Sequence, residues 1–118
     1  MKKIPVCLVS LFLGMALLTA PALAHAHLEK SVPAARAAVK SPQHVVLTFS
    51  EALEPAFSGA LLLDQDGRNY SVAPTKVDGT VMTLTPGRLL PGRYRVSWHA
   101  VARDTHRTEG NFSFTVLP

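Results

Sequence analysis

Cysteine is nearly absent from this sequence, which limits the chemistry open to the chain. The 118 residues contain one cysteine, Cys7, and it lies in an apolar stretch near the amino terminus. A chain with this one cysteine can form neither an internal disulfide nor a cysteine-rich zinc site. Cys7 is also too far from the small residues at 22–24 to resemble a lipoprotein cysteine. A domain formed by the remaining residues therefore depends on its apolar core for stability.

Long apolar runs and runs of like charge are also scarce. Residues 6–20 form an apolar run, preceded by Lys2 and Lys3 and followed by Ala-Leu-Ala at 22–24. This is the pattern of a secretory signal peptide, so we predict that residues 1–24 are cleaved and that 25–118 form one exported domain without a membrane span. Removal of both lysines leaves ten basic against eight acidic side chains, scattered along the chain. Such a distribution argues against a nucleic-acid partner.

Helical periodicity is almost missing after residue 27, where short apolar strands alternate with turn signals. Residues 34–39 are the one helix-leaning segment, and prolines at 33 and 42 limit them to a single loose turn. We predict strands at 45–49, 58–63, 69–72, 80–85, from about 92 to 99, and at 111–116. About seven short strands at regular spacing indicate an all-β fold, an antiparallel β-sandwich or barrel with Greek-key connections.

The predicted cleavage would place a histidine at the amino terminus. Cleavage after Ala24 leaves His25 first, whereas a second small-x-small match at 24–26 would leave His27 first. In either case the free α-amine and the imidazole of the same residue can chelate one metal ion. Nitrogen donors of this kind suit copper(II), which stands highest in the usual order of divalent affinities.

Asp104 and His106 supply further donors in the turn between the two strongest predicted strands. Side chains at i and i+2 of an extended segment point to the same side, so these two can converge on one ion. As an isolated pair they are a weak signal, because Asp and His are common in turns. Together with an N-terminal histidine they form an amine, imidazole and carboxylate set that favours copper(II), although zinc is also chemically possible.

At this point the chain resembles the copper-resistance protein C (CopC) family of periplasmic copper-binding proteins, which includes YobA-like proteins. The resemblance rests on motifs in the family's order along the mature chain: His25-Ala26-His27-Leu28, Ser31-Val32-Pro33-Ala34, Leu47-Thr48-Phe49-Ser50-Glu51, Phe57-Ser58-Gly59-Ala60, Pro91-Gly92-Arg93-Tyr94, Trp98 with Val101, Asp104-Thr105-His106 and Phe112-Ser113-Phe114. It implies a cupredoxin-like or immunoglobulin-like β-sandwich in the periplasm. It also implies one copper(II) ion bound by His25, Asp104 and His106, with Glu51 nearby as a ligand or a hydrogen-bond acceptor, and a CopD-type membrane transporter as a partner.

Two features of the sequence qualify this resemblance. Some family members hold copper(I) through a methionine-rich segment, whereas here Met82 is the one methionine after residue 24 and core packing suits it better. We therefore expect a single copper(II) site.

An alternative mode binds copper(II) through the N-terminal amine, two deprotonated amides and the imidazole of His27. We prefer the His25 chelate, because the Asp-Thr-His turn offers ligands that are already in place.

Three functions are consistent with these residues. The first is a copper(II)-binding protein for copper resistance and homeostasis, which buffers or delivers the ion without turnover. The second is an oxygen-activating copper enzyme with a histidine chelate, but an Asp ligand would occupy the open position that catalysis needs. The third is a structural sandwich domain whose histidines are incidental. We favour the first and expect no enzymatic activity.

Overall fold

The computed structural model describes residues 25–118, and the predicted signal peptide at 1–24 lies outside the described residues. Eight strands form within this range: β1 (Leu28–Val32), β2 (Ala38–Val39), β3 (Val45–Phe49), β4 (Gly59–Leu63), β5 (Lys76–Asp78), β6 (Val81–Leu84), β7 (Gly92–Val101) and β8 (Arg107–Val116). One short 3₁₀ turn, Pro55–Phe57, lies between β3 and β4. No helix within 25–118 has the length and apolar character needed to cross a membrane.

The strands form two four-stranded sheets with the chain crossing repeatedly between them. The first sheet has the order β1-β3-β6-β5 and the second has the order β2-β8-β7-β4. All pairings are antiparallel except that of β2 with β8, which is parallel. The predicted β-sandwich is therefore confirmed. It differs from the predicted antiparallel arrangement in one short parallel pairing, that of the edge strand β2 with β8.

The core lies between the two sheets and follows from the alternation of apolar residues along the strands. Tyr94, Val96 and Ala100 of β7 face inward and are at most 4% exposed, while Arg93 and Arg95 are exposed. Burial of each large aliphatic or aromatic side chain contributes about 1.5–3 kcal/mol relative to exposure, as an upper estimate. The largest fully buried side chains are Phe49, Phe114, Leu47, Leu62, Met82, Leu84, Val45, Val96 and Val116.

The strand predictions are wrong in detail where polar residues interrupt the alternation. Residues 69–72 form isolated bridges, such as Leu63 with Asn69, instead of a strand. Residues 34–39 contain a turn in which Arg36 has a φ of 66°, outside the right-handed helical region, and the two-residue β2 follows. The sequence prediction had no strand at 28–32 or at 76–78. Residues 28–32 mix polar and apolar side chains without a regular period, and 76–78 are only three residues, too few for an alternation to be recognised.

Candidate metal centre

The Asp-Thr-His turn connects β7 to β8 at one end of the second sheet. The two long strands pair along their whole length, from Gly92 with Val116 to Val101 with Arg107. The turn is closed by hydrogen bonds from the Thr105 N–H to the Ala102 carbonyl at 2.9 Å and from the Ala102 N–H to the His106 carbonyl at 3.2 Å. Thr105 takes a φ of 71°, which is uncommon for a residue with a β-branched side chain. The hairpin thus presents Asp104 and His106 together on a rigid support.

Asp104 and His106 are also bonded to each other. Asp104 Oδ1 accepts the backbone N–H of His106 at 3.0 Å, and Oδ2 lies 3.1 Å from His106 Nδ1. When Nδ1 carries the proton and donates to Oδ2, the ring nitrogen Nε2 is left as a free lone-pair donor. Each carboxylate oxygen keeps a further lone pair as well. The pair therefore has donor atoms available for a cation.

The electrostatics of the turn keep Asp104 ionised. The backbone N–H of His106 is the main cause that lowers the pKa of the Asp104 carboxyl below its usual value of 3.8. Partial desolvation, the next largest effect, opposes this shift, and the His106 ring and the charges of His106 and His25 each add a smaller lowering effect. A carboxylate that accepts hydrogen bonds from N–H groups is favoured in its charged form. Asp104 thus offers an anionic oxygen at any pH where an imidazole is neutral.

His25 reaches this turn from the other end of the described chain. Its ring stacks edge-on against that of His106, with centroids 4.9 Å apart and planes at 89°. Ligand atoms of His25, Asp104 and His106 all lie within 4.8 Å of one another, and within residues 25–118 this is the one group of three potential metal ligands that meets this condition. His25 is partly buried, whereas Asp104 and His106 are exposed. The structure thus brings these three predicted ligands together at a solvent-accessible position.

Two further predicted site residues, Glu51 and His27, lie outside this group. Glu51 lines a shallow cavity of about 380 Å³ together with Ala102, Arg103 and Asp104, so it is a neighbour of the turn. The His27 side chain is exposed, and its backbone N–H donates to Ser50 Oγ at 2.8 Å. Both remain predictions as ligands.

The remaining histidines occupy other surfaces. His44 is exposed just before β3, and His99 lies on the outer face of β7, opposite Gly59 and Glu109. Burial, and then the positive charge of Arg107, lower the pKa of His99. Trp98 is on the inner face, where its ring packs edge-on against Phe49 at 5.1 Å. Neither histidine belongs to the three-ligand group.

Sequence reasoning missed two hydroxyl residues that contact the segment carrying His25. Ser50 follows β3, and Thr108 is in β8; both hydrogen-bond to the backbone of residues 25–27. Ser50 is part of a motif that carried the family resemblance, but no periodicity in the sequence marks Thr108. Their contacts depend on which strands become neighbours, and the sequence alone does not show this.

Comparison with known proteins places this chain in a family. The family described as the CopC domain matches residues 28–117. "Protein YobA" of Escherichia coli strain K12 is 38% identical over 109 residues, covering 88% of each chain. "Copper resistance protein C" of Escherichia coli is 42% identical over 106 residues, covering 80% of this chain and 83% of the relative.

A solved structure agrees with the sequence matches. CopC from Methylosinus trichosporium OB3b superimposes with a TM-score of 0.74 at 34% identity, covering 80% of this chain and 95% of that one. The matched family spans nearly the whole described β-sandwich, and both sequence relatives exceed 30% identity over most of the chain. This chain therefore belongs to the CopC family.

Proposed function

We propose that this protein is an exported copper(II)-binding protein that serves copper resistance and homeostasis. One observation carries the proposal: the convergence of His25, Asp104 and His106, whose ligand atoms lie within 4.8 Å of one another. Copper is the cargo of this site, held and then released. The related copper resistance protein C of Escherichia coli supports the role in copper resistance.

The donor set fits copper(II) by its chemistry. His25 and His106 supply imidazole nitrogens and Asp104 supplies an anionic oxygen, with no thiolate within the described residues. Nitrogen and oxygen donors suit copper(II), whereas thiolates and thioethers suit copper(I). Met82, the one methionine within 25–118, is fully buried in the core and is not available to an ion at the surface. One copper(II) ion per chain is therefore the proposed stoichiometry.

The position of His25 favours cleavage of the signal peptide after Ala24. That cut turns the backbone nitrogen of His25 into a free amine beside its own imidazole. His25 can then act as a two-donor ligand that faces the turn. Cleavage after Ala26 would remove His25 and also the Ala26 side chain, which is fully buried. Measurement of the intact mass of the exported protein, with and without copper(II), tests both the cut and the stoichiometry; a mass that begins at His27, or no bound copper, would contradict the proposal.

Delivery and catalysis are separate questions for such a site. Asp104 and His106 are exposed, so an acceptor can approach them. This suits transfer of copper, within the periplasm, to a membrane transporter of the CopD type. We propose no enzymatic activity, because a carboxylate that completes the coordination shell occupies the position where oxygen would bind.

Metal choice provides one prediction. Copper(II) should bind at one ion per chain and displace zinc, while copper(I) should bind weakly because the described residues offer no exposed sulfur ligand. Competition against a chromogenic chelator, under air for copper(II) and under reducing conditions for copper(I), measures each affinity. Tight copper(I) binding would contradict the proposed donor set.

The pH dependence provides a second prediction. Imidazole and α-amine groups generally titrate near about 6.5 and 8, and protons compete with copper for these nitrogens. The hydrogen bond from the His106 N–H lowers the pKa of Asp104, so this carboxylate stays charged as pH falls through that range. Affinity should therefore fall steadily as pH decreases from about 8 to about 5.

An Asp104→Asn variant is the control for this pH profile. It should bind copper more weakly at every pH but keep the same dependence, because the lost group does not exchange a proton in that range. Titration across the pH range measures both proteins. A wild-type profile that is flat above about pH 5 and falls only below it would show that the carboxylate, and not the nitrogens, controls binding.

A further inference from the structure

The tripeptide 25–27 is tied to the sandwich by hydrogen bonds from two residues outside the ligand group. The Ser50 hydroxyl accepts the His27 N–H at 2.8 Å and donates to the His25 carbonyl at 3.4 Å. The Ser50 N–H donates to the His27 carbonyl at 2.8 Å. Thr108 Oγ1 donates to the Ala26 carbonyl at 2.9 Å. Each residue of the tripeptide is thus held through its backbone.

The core adds an apolar anchor to these bonds. The Ala26 side chain is fully buried between its two exposed or partly exposed neighbours. A serine hydroxyl has one proton to donate, and Ser50 uses it toward His25 while a lone pair receives the His27 N–H. The same hydroxyl therefore fixes two peptide groups of the tripeptide at once.

We propose that Ser50 and Thr108 are positioning residues that select the copper(II) coordination mode. They hold the tripeptide where His25 meets the Asp-Thr-His turn, and they keep the His27 amide nitrogen away from the ion. This inference rests on the proposed copper(II) function of the protein. It assigns these hydroxyls a role in choosing between two ligand sets within one chain.

The competing ligand set shows why a selector is needed. A chain beginning His-Ala-His can wrap copper(II) with its amine, the amide nitrogens of Ala26 and His27, and the His27 imidazole. In the folded protein the His27 amide instead keeps its hydrogen and donates a hydrogen bond to Ser50 Oγ. Wrapping would break this bond and would also pull Ala26 out of the core. The folded sandwich therefore opposes the local chelate.

Thr108 ties the tripeptide to the strand that carries the turn. Thr108 lies two residues after His106 and is paired with Ala100 of β7 across the sheet. Ala26, by contrast, is 82 residues away from Thr108 in the sequence. The Thr108 hydroxyl thus links the backbone next to His25 with the strand that begins just after His106. Loss of this link should let the two imidazoles separate.

Substitutions at the two positioning residues test the inference directly. Ser50→Ala and Thr108→Val remove the hydroxyls with little change in volume, and Thr75→Val is a matched control whose hydroxyl contacts the backbone of Ala60. All variants are compared as chains beginning at His25, after circular dichroism confirms folding. In wild-type protein and in the control, His27→Ala should change copper(II) affinity little. In the Ser50→Ala, Thr108→Val double variant, the same substitution should lower the affinity by about 10-fold or more.

Two spectroscopic readouts separate the positioning role from a general loss of stability. The electron paramagnetic resonance spectrum of copper(II) in the double variant should change toward one that depends on His27. Amide hydrogen exchange of the metal-free protein should become faster at His27 in Ser50→Ala and remain slow in Thr75→Val. Faster exchange with an unchanged copper spectrum would overturn the inference, and so would unchanged exchange.

The same set of proteins distinguishes failure of this inference from failure of the proposed function. If wild-type protein does not bind copper(II), or if its spectrum already depends on His27, the proposed His25, Asp104 and His106 site is wrong. If wild-type binding depends on His106 and the double variant keeps that dependence, the site stands and the selector role of Ser50 and Thr108 is wrong.

Discussion

Protein that carries extra residues before His25 should bind copper(II) on the order of 100-fold or more weakly than protein that begins at His25. The extension turns the α-amine into a peptide nitrogen and opens the chelate ring. By analogy with two linked binding modules, whose joint affinity exceeds either single one by about 10²–10⁴-fold, loss of the second donor should cost a similar factor. The His25 and His106 rings, 4.9 Å apart, would still face each other. Only the amine would be lost.

A cleavable extension gives this experiment a matched control. The same purified protein is titrated before and after a protease removes the extension to regenerate His25 as the first residue. The extension leaves the core of the sandwich untouched, so both forms should fold alike. Circular dichroism of both forms checks this. Equal copper(II) affinity before and after cleavage would contradict the chelate and would leave only the imidazoles and the carboxylate as ligands.

The second large effect should follow from loss of the turn histidine. His106→Ala should lower copper(II) affinity by at least about 10–100-fold, by analogy with the cost of losing even a supporting contact at a metal site. His106 is exposed, and its ring contacts are to Asp104 and His25, so the substitution should leave the free energy of unfolding nearly unchanged. The loss would therefore reflect the site and not the fold.

His27→Ala is the matched control for this prediction. It removes an imidazole from the same N-terminal segment, but one that is exposed and absent from the three-ligand group. It should cost much less affinity than His106→Ala when both are titrated against the same chelator. The reverse order would favour the local amide chelate, in which His106 has no role.

The sandwich could be predicted from sequence wherever apolar and polar residues alternate strictly. The alternation in 94–99 predicts that Tyr94, Val96 and Trp98 share one face of β7, and in the structure Tyr94 and Val96 lie in the core while Trp98 is half-buried. The first four residues of β8, from Arg107 to Gly110, were missed because they are polar or small. That segment is a strand through its pairing with β7, and such pairing is a property of the whole sheet.

The candidate site divides in the same way between local and distant information. The i, i+2 spacing of Asp104 and His106 is a local pattern. The two side chains meet at 3.1 Å, but they do so in a turn in which Thr105 has a φ of 71°, and not in the extended segment that the prediction assumed. His25 is separated from the turn by about eighty residues, and no local pattern shows that the two come together. The prediction of His25 as a ligand rests on the signal-peptide pattern and the family resemblance. Ser50 and Thr108 could not be predicted, because their partners are backbone atoms of a segment distant in sequence.

The most direct test of the central claim is the electron paramagnetic resonance spectrum of copper(II) in three proteins that begin at His25. These are the wild type, His106→Ala and His27→Ala, each loaded with slightly less than one ion per chain. If His25, Asp104 and His106 bind the ion, the wild-type spectrum should change in His106→Ala and persist in His27→Ala. If the spectrum instead persists in His106→Ala and is lost in His27→Ala, copper(II) is bound by the N-terminal amide chelate and the assigned site is wrong.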